Sequence, residues 1–522
     1  WSAANYLAYS NNLLVVRNTE ANAINAVVGD DNAGTAKKID NIDDYDGTSF
    51  SSDATAPLFV AKYPGARGSS LKVIAVDSAG WASFSGLANS ARTPDQKLLF
   101  ANFDRAPGTS TDVAASGGSN DEMHVLVIDE NGLFSGVAGE ILEAHAFVSK
   151  ASDAKKIDGS SNYVKNVLKN ESRYIWLGEV LKITESTTDS GSEVDAGSLK
   201  AGNTFKLINA ASDADKIIGG SLAGGSDGTY PLTPAKEQIA YNMFADAETV
   251  DISLLIGGPA LQATAQHLVN LAEARKDCIA FVSPTRASVV NAAVDSQTAS
   301  IVSQKNAIGS SSYGVMDNAW KYQYDRYRDV FINVPMNGDI AGLCARTDFT
   351  NDAWFSPAGL NRGVIKNIVR PSWDASQGDR DELYKSGINP ITTQLGAGNI
   401  LFGDKTMLAV PSAFDRINVR RLFIVLEKAI AIAAKAMLFE FNDEFTRSQF
   451  VNIVTPFLRE VQGRRGLTDF KVVCDSSNNT GQVIDTNNFV GDIYIKPNRS
   501  INFIQLNFIA ARSDVSFSEI GG

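Results

Sequence analysis

The chain is poor in the residues on which most metal centres and disulfide scaffolds depend. Its 522 residues include three cysteines and three histidines. Cys278, Cys344 and Cys474 lie far apart and form no CxxC pair, which argues against a structural zinc site or a disulfide framework. We therefore expect each thiol to lie reduced in a packed interior, as in a protein synthesised in a cytoplasm.

Long hydrophobic runs are also missing. The longest apolar-rich stretch, residues 422–441, is interrupted by two lysines and two glutamates, so it predicts an amphipathic helix and not a bilayer span. We expect a soluble protein with no targeting segment and no direct membrane insertion. The chain begins at Trp1 inside a predicted helix, which indicates that further residues precede it, and a short strand is predicted at residues 13–17.

Negative charge dominates the front of the chain. Residues 1–230 hold 29 acidic and 19 basic side chains, whereas residues 391–522 hold 13 acidic and 14 basic ones, within a total net charge of −12. An acidic front part fits a solvated outer surface and argues against nucleic-acid wrapping, while the near-neutral end can pack against other protein. Solubility alone would explain the same imbalance.

The composition divides the chain into three regions. Residues 82–230 are rich in Gly, Ser, Thr and Asp and contain alternating segments, so we expect residues 1–230 to form a β-rich outer domain with a short insertion at about residues 18–55. Residues 231–376 contain two buried apolar runs, 250–258 and 278–284, around a helical pattern. This order predicts a βαβ unit in a middle α/β domain.

The third region, residues 377–522, predicts a C-terminal α+β domain. A helix from Asn418 and a second one capped by Asn442 or Asp443 each carry an apolar stripe, and strands follow them. The last strand, residues 500–511, is apolar on both faces, so it is covered on both sides or pairs with another chain. The predicted fold class is therefore α/β and α+β multidomain.

The βαβ unit invites a dinucleotide-binding interpretation, which its glycine loop does not support. The first strand is followed by GGPA at residues 257–260, not by GxGxxG, and Pro259 removes an amide donor that a pyrophosphate would need. No glycine precedes a lysine in the chain, so a Walker A motif is absent. We expect no cofactor, and an α/β nucleotide-binding enzyme is the alternative from another class of function.

The sequence gives equally little support for a hydrolytic site or a metal site. Ser226 lies in a GxSxG pattern within a loop-like segment, whereas a nucleophile elbow needs a strand before it and a helix after it. His124, His145 and His267 lack the spacing of a triad or of a metal pair. Residues 42–47 imitate part of a calcium loop, but an isoleucine stands at the first ligand position. We predict no catalytic residue and no metal site.

Three blocks of sequence resemble a known family when they are taken in order. They are residues 331–363, FINVPMNGDIAGLCARTDFTNDAWFSPAGLNRG; residues 387–407, GINPITTQLGAGNILFGDKTM; and NVRR at residues 418–421. Each block alone is unspecific, but their order and spacing resemble the sheath protein of contractile phage tails of the T-even type. The resemblance is strong from about residue 245 onward and weaker near the front, and residues 82–230 give no confident match.

The resemblance implies a structural subunit and not an enzyme. Members of this family polymerise as stacked six-fold rings in a helical sheath around the tail tube, and contraction drives the tube through the host cell envelope. The partners implied are further copies of the chain, the tail tube protein, and the baseplate and tail terminator proteins, with no nucleic acid. The implied location is the virion tail, after assembly in the host bacterial cytoplasm. The sheath of a phage-tail-like bacteriocin or a related injection machine is the alternative within this class.

The resemblance also implies where subunits connect. In this family the C-terminal domain faces the tube, and chain extensions add strands to neighbouring subunits. The apolar segment with Ile501, Phe503, Ile504 and Leu506 is suited to such pairing. The N-terminal arm of the family is absent before Trp1, so we expect that these residues alone do not polymerise. The insertion at residues 18–55 is short compared with the outer domain found there in T-even sheaths.

Two consecutive arginines are the last candidate contact. Arg420 and Arg421 open a helix at the end where the macrodipole disfavours positive charge. We expect each to reach a carboxylate, either in this subunit or in a neighbour. The hypothesis is an inter-subunit or tube contact, and an ordinary ion pair within the domain is the alternative.

Overall fold

The chain folds as two compact units. A computed structural model describes residues 1–28, 37–48, 57–178, 193–194, 197–205, 207, 217–293 and 296–500. Trp1–Arg17 and Thr233–Gly522 form one unit, called here the split unit, and Asn18–Leu232 form the other, called the inserted unit. No helix in the described ranges is both long and apolar enough to cross a bilayer.

The helices of the described residues are spread over both units. In chain order they are α1 (Ser2–Leu7), α2 (Ile42–Gly47), α3 (Ser78–Ser85), α4 (Pro94–Asn102), α5 (Thr111–Ala115), α6 (Val164–Glu171), α7 (Pro234–Asn242), α8 (Gln262–Arg275), α9 (Arg286–Val289), α10 (Gln297–Ile308), α11 (Asn337–Thr350), α12 (Gln377–Lys385), α13 (Ile417–Lys435), α14 (Glu444–Gly463) and α15 (Gly481–Asp485). Short 3-10 turns occur at Ala66–Ser70, Asn89–Ala91 and Ala413–Asp415.

The strands form several small sheets. In chain order they are β1 (Val27–Val28), β2 (Phe59–Ala61), β3 (Leu71–Asp77), β4 (Glu122–Asp129), β5 (Glu140–Ser149), β6 (Ile175–Leu177), β7 (Glu193–Val194), β8 (Thr204–Phe205), β9 (Ile218–Ser221), β10 (Leu254–Ile256), β11 (Ile279–Val282), β12 (Gly314–Asp317), β13 (Trp320–Asp325), β14 (Val330–Pro335), β15 (Arg370–Pro371), β16 (Ile388–Asn389), β17 (Ile391–Gln394), β18 (Gly398–Leu401), β19 (Leu467–Val473) and β20 (Asp492–Pro497). The predicted α/β and α+β multidomain class is confirmed.

The inserted unit is built on an antiparallel sheet of order β5-β4-β3-β9. Strands β3 and β4 alternate between two cores, because successive side chains point to opposite faces. Ile74 and Leu126 pack against α3 and α4, whereas Val73 and Val125 pack in the core that contains Val164 of α6. The central strands are therefore covered on both faces.

The split unit contains a parallel sheet of order β10-β11-β12-β16. β10, α8 and β11 form the predicted βαβ unit, in which Leu255 pairs with Ala280 in parallel. Ala280 packs in the core with α8, and the adjacent Phe281 packs on the other side, in the core that contains α11. Helices thus cover both faces of the sheet, as expected for parallel strands.

The division of the chain differs from the predicted domains at two places. Trp1–Arg17 belongs to the split unit, although the sequence grouped it with the β-rich region. In addition, β16 pairs in parallel with β12, so the middle sheet extends past residue 376. Both differences have the same reason: the partners lie far away in sequence, where local patterns carry no information. The predicted strand at residues 13–17 is also wrong, because no strand is formed there.

Two glycines let the N-terminal segment lie close against α11. A Cβ atom on Gly338 would stand 2.4 Å from the carbonyl oxygen of Ser2, and one on Gly342 would stand 2.5 Å from Cδ2 of Tyr9. The Tyr9 hydroxyl donates to Asp339 Oδ1 at 3.1 Å and accepts from the Lys366 amide at 2.7 Å. The phenol hydroxyl is therefore fixed both as a donor and as an acceptor.

Asp339 lies at the centre of this contact. Its Oδ1 also accepts from Lys321 Nζ at 2.9 Å, and the same ammonium donates to the Lys366 carbonyl at 3.0 Å. Both side chains of the ion pair are buried. Burial raises the pKa of Asp339 and lowers the pKa of Lys321, and their mutual attraction opposes both shifts.

The close approach of Tyr9 predicts that the same substitution destabilises the fold at one helical glycine and not at another. Gly342→Ala should lower the free energy of unfolding by about 1–3 kcal/mol, because the new methyl group overlaps the Tyr9 ring. Gly463→Ala in α14 is the control, since no atom lies within 4 Å of its Cβ position. We expect the control to be neutral or slightly stabilising. Urea unfolding measures both, and equal effects would contradict this packing.

Asp317 predicts a pH dependence of stability. It is fully buried at the end of β12, where Oδ2 accepts from Ser283 Oγ at 2.5 Å and Oδ1 accepts from the Ala319 amide at 3.1 Å. Burial raises the pKa of Asp317 to about 7. The folded state therefore binds this proton more tightly than the unfolded state, and this contribution to stability is lost as the pH rises from about 4 to about 7.

Asp317→Asn should remove this pH-dependent contribution to the free energy of unfolding, because the amide does not titrate. Relative to the wild type, the variant should gain stability between pH 5 and pH 8, measured by urea unfolding at both pH values. The exposed Asp374→Asn is the control. A variant whose stability follows the wild type at both pH values would show that Asp317 is ionised when folded.

Candidate assembly site

The C-terminal part of the split unit is a helix pair laid on a two-stranded sheet. Leu422 and Leu426 of α13 pack with Phe450 and Val454 of α14, as the predicted apolar stripes require. Asp443 is the N-cap of α14, since its Oδ1 accepts from the Thr446 amide at 2.8 Å. The predicted helix pair is therefore confirmed, including one of its two candidate caps.

The sheet β19-β20 is antiparallel, and the described residues cover one of its faces. Phe470 pairs with Ile495 and Val472 pairs with Ile493, and all four side chains pack against the helices. The opposite face carries exposed polar groups such as Lys471. In the part of the chain that the structure describes, neither strand has a second partner, so each presents one unpaired edge.

A buried asparagine closes the connection between these strands. The Asn479 Nδ2 donates to the Val490 carbonyl at 2.7 Å, and its Oδ1 accepts from the Val490 amide at 2.9 Å. Asn479 is 2% exposed. The Asn479 side-chain amide thus takes the place of a backbone partner for Val490. It fixes the long connection, which contains α15, between the two strands.

A second buried side chain, Asp404, joins four separate segments. Its Oδ1 accepts from Arg416 Nη1 at 2.9 Å and from the Tyr384 hydroxyl at 3.4 Å. Its Oδ2 accepts from Ser356 Oγ at 3.0 Å and from Ser500 Oγ at 2.6 Å. Since Asp404 is 3% exposed, these donors replace water around its charge.

The bond to Ser500 fixes the point from which residues 501–522 continue. Sequence reasoning missed Asp404, although three of its donors lie in or next to the blocks that carried the family resemblance. The signal that could have identified it is the acidic residue inside the FGDKTM block. The predicted contact residues Ile501, Phe503, Ile504 and Leu506 lie outside the described residues.

Arg420 lies inside the fold, 7% exposed. Its Nη2 donates to Ser312 Oγ at 2.6 Å and its Nη1 donates to the Tyr313 hydroxyl at 3.2 Å. The guanidinium also stacks on the Phe414 ring, with 3.9 Å between its carbon and the ring centroid. Burial lowers the pKa of Arg420, and the Tyr313 and Glu427 groups oppose that shift.

Arg421 contacts a carboxylate, as expected from its position at the start of a helix. Its Nη2 forms an ion pair with Asp348, and its Nη1 donates to the Cys344 carbonyl at 3.3 Å. The arginine is 5% exposed. These two contacts tie the start of α13 to α11 within one subunit, and the inter-subunit or tube contact of Arg420 and Arg421 stays a prediction.

The loop that could have held a nucleotide uses its donors internally. The Gly257 amide donates to the Phe281 carbonyl at 2.9 Å, and the Gly258 amide donates to Asn337 Oδ1 at 3.1 Å. Asn337 Nδ2 in turn donates to the Gly258 carbonyl at 2.8 Å. This arrangement leaves neither glycine amide directed at a phosphate.

The other candidate reactive groups are also separated or buried. Ser226 forms a bridge with Ile24 through its backbone. His124, His145 and His267 contact a backbone carbonyl, a glutamate and an asparagine, respectively. Among the described residues, no three Asp, Glu, His or Cys side chains are grouped as metal ligands would be. All three cysteines are free and buried, as predicted.

Comparisons with known proteins agree with the resemblance. The family model described as the phage tail sheath protein central domain matches residues 238–407, and that of the phage tail sheath C-terminal domain matches residues 409–511. The tail sheath protein of Enterobacteria phage T4 is 40% identical over 351 residues, which are 64% of this chain and 53% of that protein. The tail sheath protein of Vibrio phage KVP40 is 38% identical over 428 residues, 78% of this chain and 58% of that protein.

A solved structure of a sheath tail protein from Listeria innocua aligns with a TM-score of 0.45 and 11% identity, over 95% of this chain and 99% of that one. The chain spans between 53% and 58% of the length of the phage T4 and KVP40 relatives. The two family models together match more than half of the 522 residues. The chain belongs to the phage tail sheath family.

Proposed function

We propose that this chain is the structural subunit of a contractile phage tail sheath. In this proposal copies of the chain polymerise as stacked six-fold rings around the tail tube, and contraction of the sheath drives the tube through the host cell envelope. The partners are further copies of the chain, the tail tube protein, and the baseplate and tail terminator proteins. The sheath assembles in the host cytoplasm, is part of the virion, and needs no catalytic residue or cofactor.

One observation supports this proposal most directly. Ser500 is fixed on the buried Asp404, and the sequence that follows it is apolar on both faces. The same domain holds the two-stranded sheet β19-β20, whose two outer edges have no strand partner among the described residues. In a chain that binds its own copies, the apolar segment that begins at this fixed point can pair with a sheet edge of another copy.

The roles of the two units follow from the same proposal. The inserted unit covers most of residues 1–230, where acidic side chains outnumber basic ones by 29 to 19, and it faces solvent on the outside of the sheath. The near-neutral C-terminal part of the split unit faces the tube and connects neighbouring subunits. The residues that make the connection are Ile501, Phe503, Ile504 and Leu506.

Strand pairing is tested by charges placed in the apolar segment. With the native flanking sequence present, Phe503→Asp combined with Leu506→Asp should raise the protein concentration needed for assembly by at least about tenfold, since a loss of 1.4 kcal/mol already has that effect. Assembly is followed by sedimentation and by negative-stain microscopy of striated tubes.

The matched control is Asn502→Asp combined with Asn507→Asp, which adds the same charge at polar positions of the same segment. It should assemble at a lower concentration than the first variant, and the thermal unfolding midpoint of both should equal that of the wild type. Equal assembly thresholds would exclude this segment as the connection. Failure of the wild type, with its native flanking sequence, to form tubes at any concentration would contradict the proposed function itself.

The role of the arginine pair is tested by measuring the stability and the assembly of an Arg421 variant separately. Arg421→Met should lower the free energy of unfolding by about 1–3 kcal/mol, because Asp348 and the Cys344 carbonyl lose a charged donor. If Arg421 acts only through these contacts within one subunit, the folded fraction should still assemble. Arg421→Lys, which keeps the charge, is the control. Unchanged stability together with lost assembly would instead support a direct inter-subunit or tube contact.

A further inference from the structure

The turn between α13 and α14 exposes a group of apolar side chains. This turn, residues 436–445, is called here the helical tip. Its large apolar side chains are between 62% and 104% exposed, and they are Leu438, Phe439, Phe441 and Phe445. Single exposed apolar residues are common on protein surfaces, whereas four within eight positions indicate a surface that binds another molecule.

The helical tip also carries negative charge. It includes three acidic side chains and no basic one. Asp443 is the N-cap of α14, whereas Glu440 and Glu444 are exposed and form no ion pair with a described residue. The basic side chains that flank the tip, Lys435 and Arg447, do not form ion pairs with a described residue either. A partner of the tip therefore meets apolar surface together with two available carboxylates.

A second exposed surface is one face of the sheet β14-β13-β15, called here the aromatic face. Successive side chains of β13 point to opposite sides, and one set is buried, namely Lys321, Gln323 and Asp325. On the other side Tyr324 pairs with Phe331, and both are about half exposed, at 47% and 51%. The Phe331 ring also stacks on Tyr322, with 5.2 Å between centroids. The Arg370 guanidinium carbon lies 4.8 Å from the Tyr322 ring centroid.

The aromatic face offers positive charge to a partner. Arg326 and Arg370 are exposed and form no ion pair with a described residue. Arg328 is already paired with Asp325 at 2.7 Å, and Asp329 accepts from a tyrosine hydroxyl at 2.6 Å. Two guanidinium groups thus stand against the one remaining carboxylate. Tyrosine and arginine are also the residue types that dominate binding energy at protein interfaces.

The helical tip projects from the amino edge of the parallel sheet. Arg420 near the start of α13 bonds Ser312, just before β12 begins. Two turns later, Lys428 donates to the Ile252 carbonyl at 2.8 Å, just before β10 begins. α13 therefore crosses this edge from a central strand to the outermost one, and the helical tip lies beyond it.

The turn that carries the aromatic face lies at the opposite, carboxyl edge. The Tyr327 ring centroid is 6.0 Å from that of Trp1. The adjacent Ser2 lies against the loop that follows β10, since a Cβ atom on Gly258 would stand 3.8 Å from the Ser2 Oγ. Two different surfaces at opposite edges cannot form a closed pair by contacting their own kind. They form head-to-tail contacts, which continue from copy to copy into a ring or a helix.

We propose that the helical tip of one copy packs on the aromatic face of the next copy. The inference rests on the proposed assembly function and names one contact of the sheath. The apolar side chains of the tip cover the rings, while Glu440 and Glu444 meet Arg326 and Arg370. A buried aromatic side chain contributes about 150–250 Å². The three phenylalanines of the tip therefore supply more than half of the roughly 800 Å² that each partner buries in a specific interface.

Charge reversal on both surfaces tests this contact by rescue, in the chain with its native flanking sequence. Arg326→Glu combined with Arg370→Glu places like charges opposite the tip, and Glu440→Lys combined with Glu444→Lys does so from the other side. Each double variant should raise the protein concentration at which sheaths form by at least about tenfold, because like charges that face each other repel. The chain with all four reversals should assemble at a concentration close to that of the wild type.

The matched control is Arg286→Glu combined with Arg459→Glu, which reverses two exposed arginines of the same unit outside both surfaces. It should assemble like the wild type, and thermal unfolding midpoints should agree among all variants. Assembly thresholds are measured by sedimentation. Double variants that match the control, or a fourfold variant no better than the double variants, would overturn the inference. The proposed function would still stand, since the wild type forms sheaths in the same experiment.

Cross-linking identifies the occupant and does not depend on charge. A photoreactive phenylalanine analogue replaces Phe439 in sheaths built from isotopically labelled and unlabelled copies. We expect mixed-label cross-links to residues 322–331. Cross-links to the tube protein alone, or within a single copy alone, would overturn the inference, as would an absence of cross-links in assembled sheaths.

Discussion

The split unit depends on one buried carboxylate at the first turn of α11. Asp339 is the acceptor for Lys321 of β13 and for Tyr9 of the N-terminal segment, which are separated from it by 18 and 330 positions in sequence. A buried ion pair contributes little net stability compared with apolar side chains of the same volume. Apolar groups could not, however, bond the Tyr9 hydroxyl and the Lys366 carbonyl. The pair therefore fixes the relative position of three segments.

Buried asparagines perform a related task where the chain is irregular. Asn25 in the inserted unit bonds the Ile39 amide and the Ala61 carbonyl, Asn389 bonds the Lys405 amide and carbonyl, and Asn479 does the same for Val490. Each side-chain amide offers one acceptor and two donors, so it can stand in for a strand that is missing at that point. Loops can thus be buried without leaving their backbone groups unsatisfied.

The parts of the structure that the sequence could predict are those governed by local periodicity. The βαβ unit, the helix pair and the Asp443 cap all follow from patterns within elements that are consecutive in the sequence. The position of Trp1–Arg17 could not be predicted, because it depends on Gly342 and Asp339 more than 300 residues away. Likewise, the order of the sequence blocks identified the family, but only the fold shows that Ser356 of the first block bonds Asp404 of the second.

In the proposed sheath, the fixed start of the C-terminal segment would also solve a problem of register. A strand with one apolar face selects its register, because a shift by one residue turns every side chain to the wrong face. A strand that is apolar on both faces loses this information and could pair in several registers. Ser500, held at 2.6 Å from Asp404, sets the residue at which the segment begins. In the proposed sheath, the length from that point to the edge of a neighbouring sheet would select the register that the side chains do not.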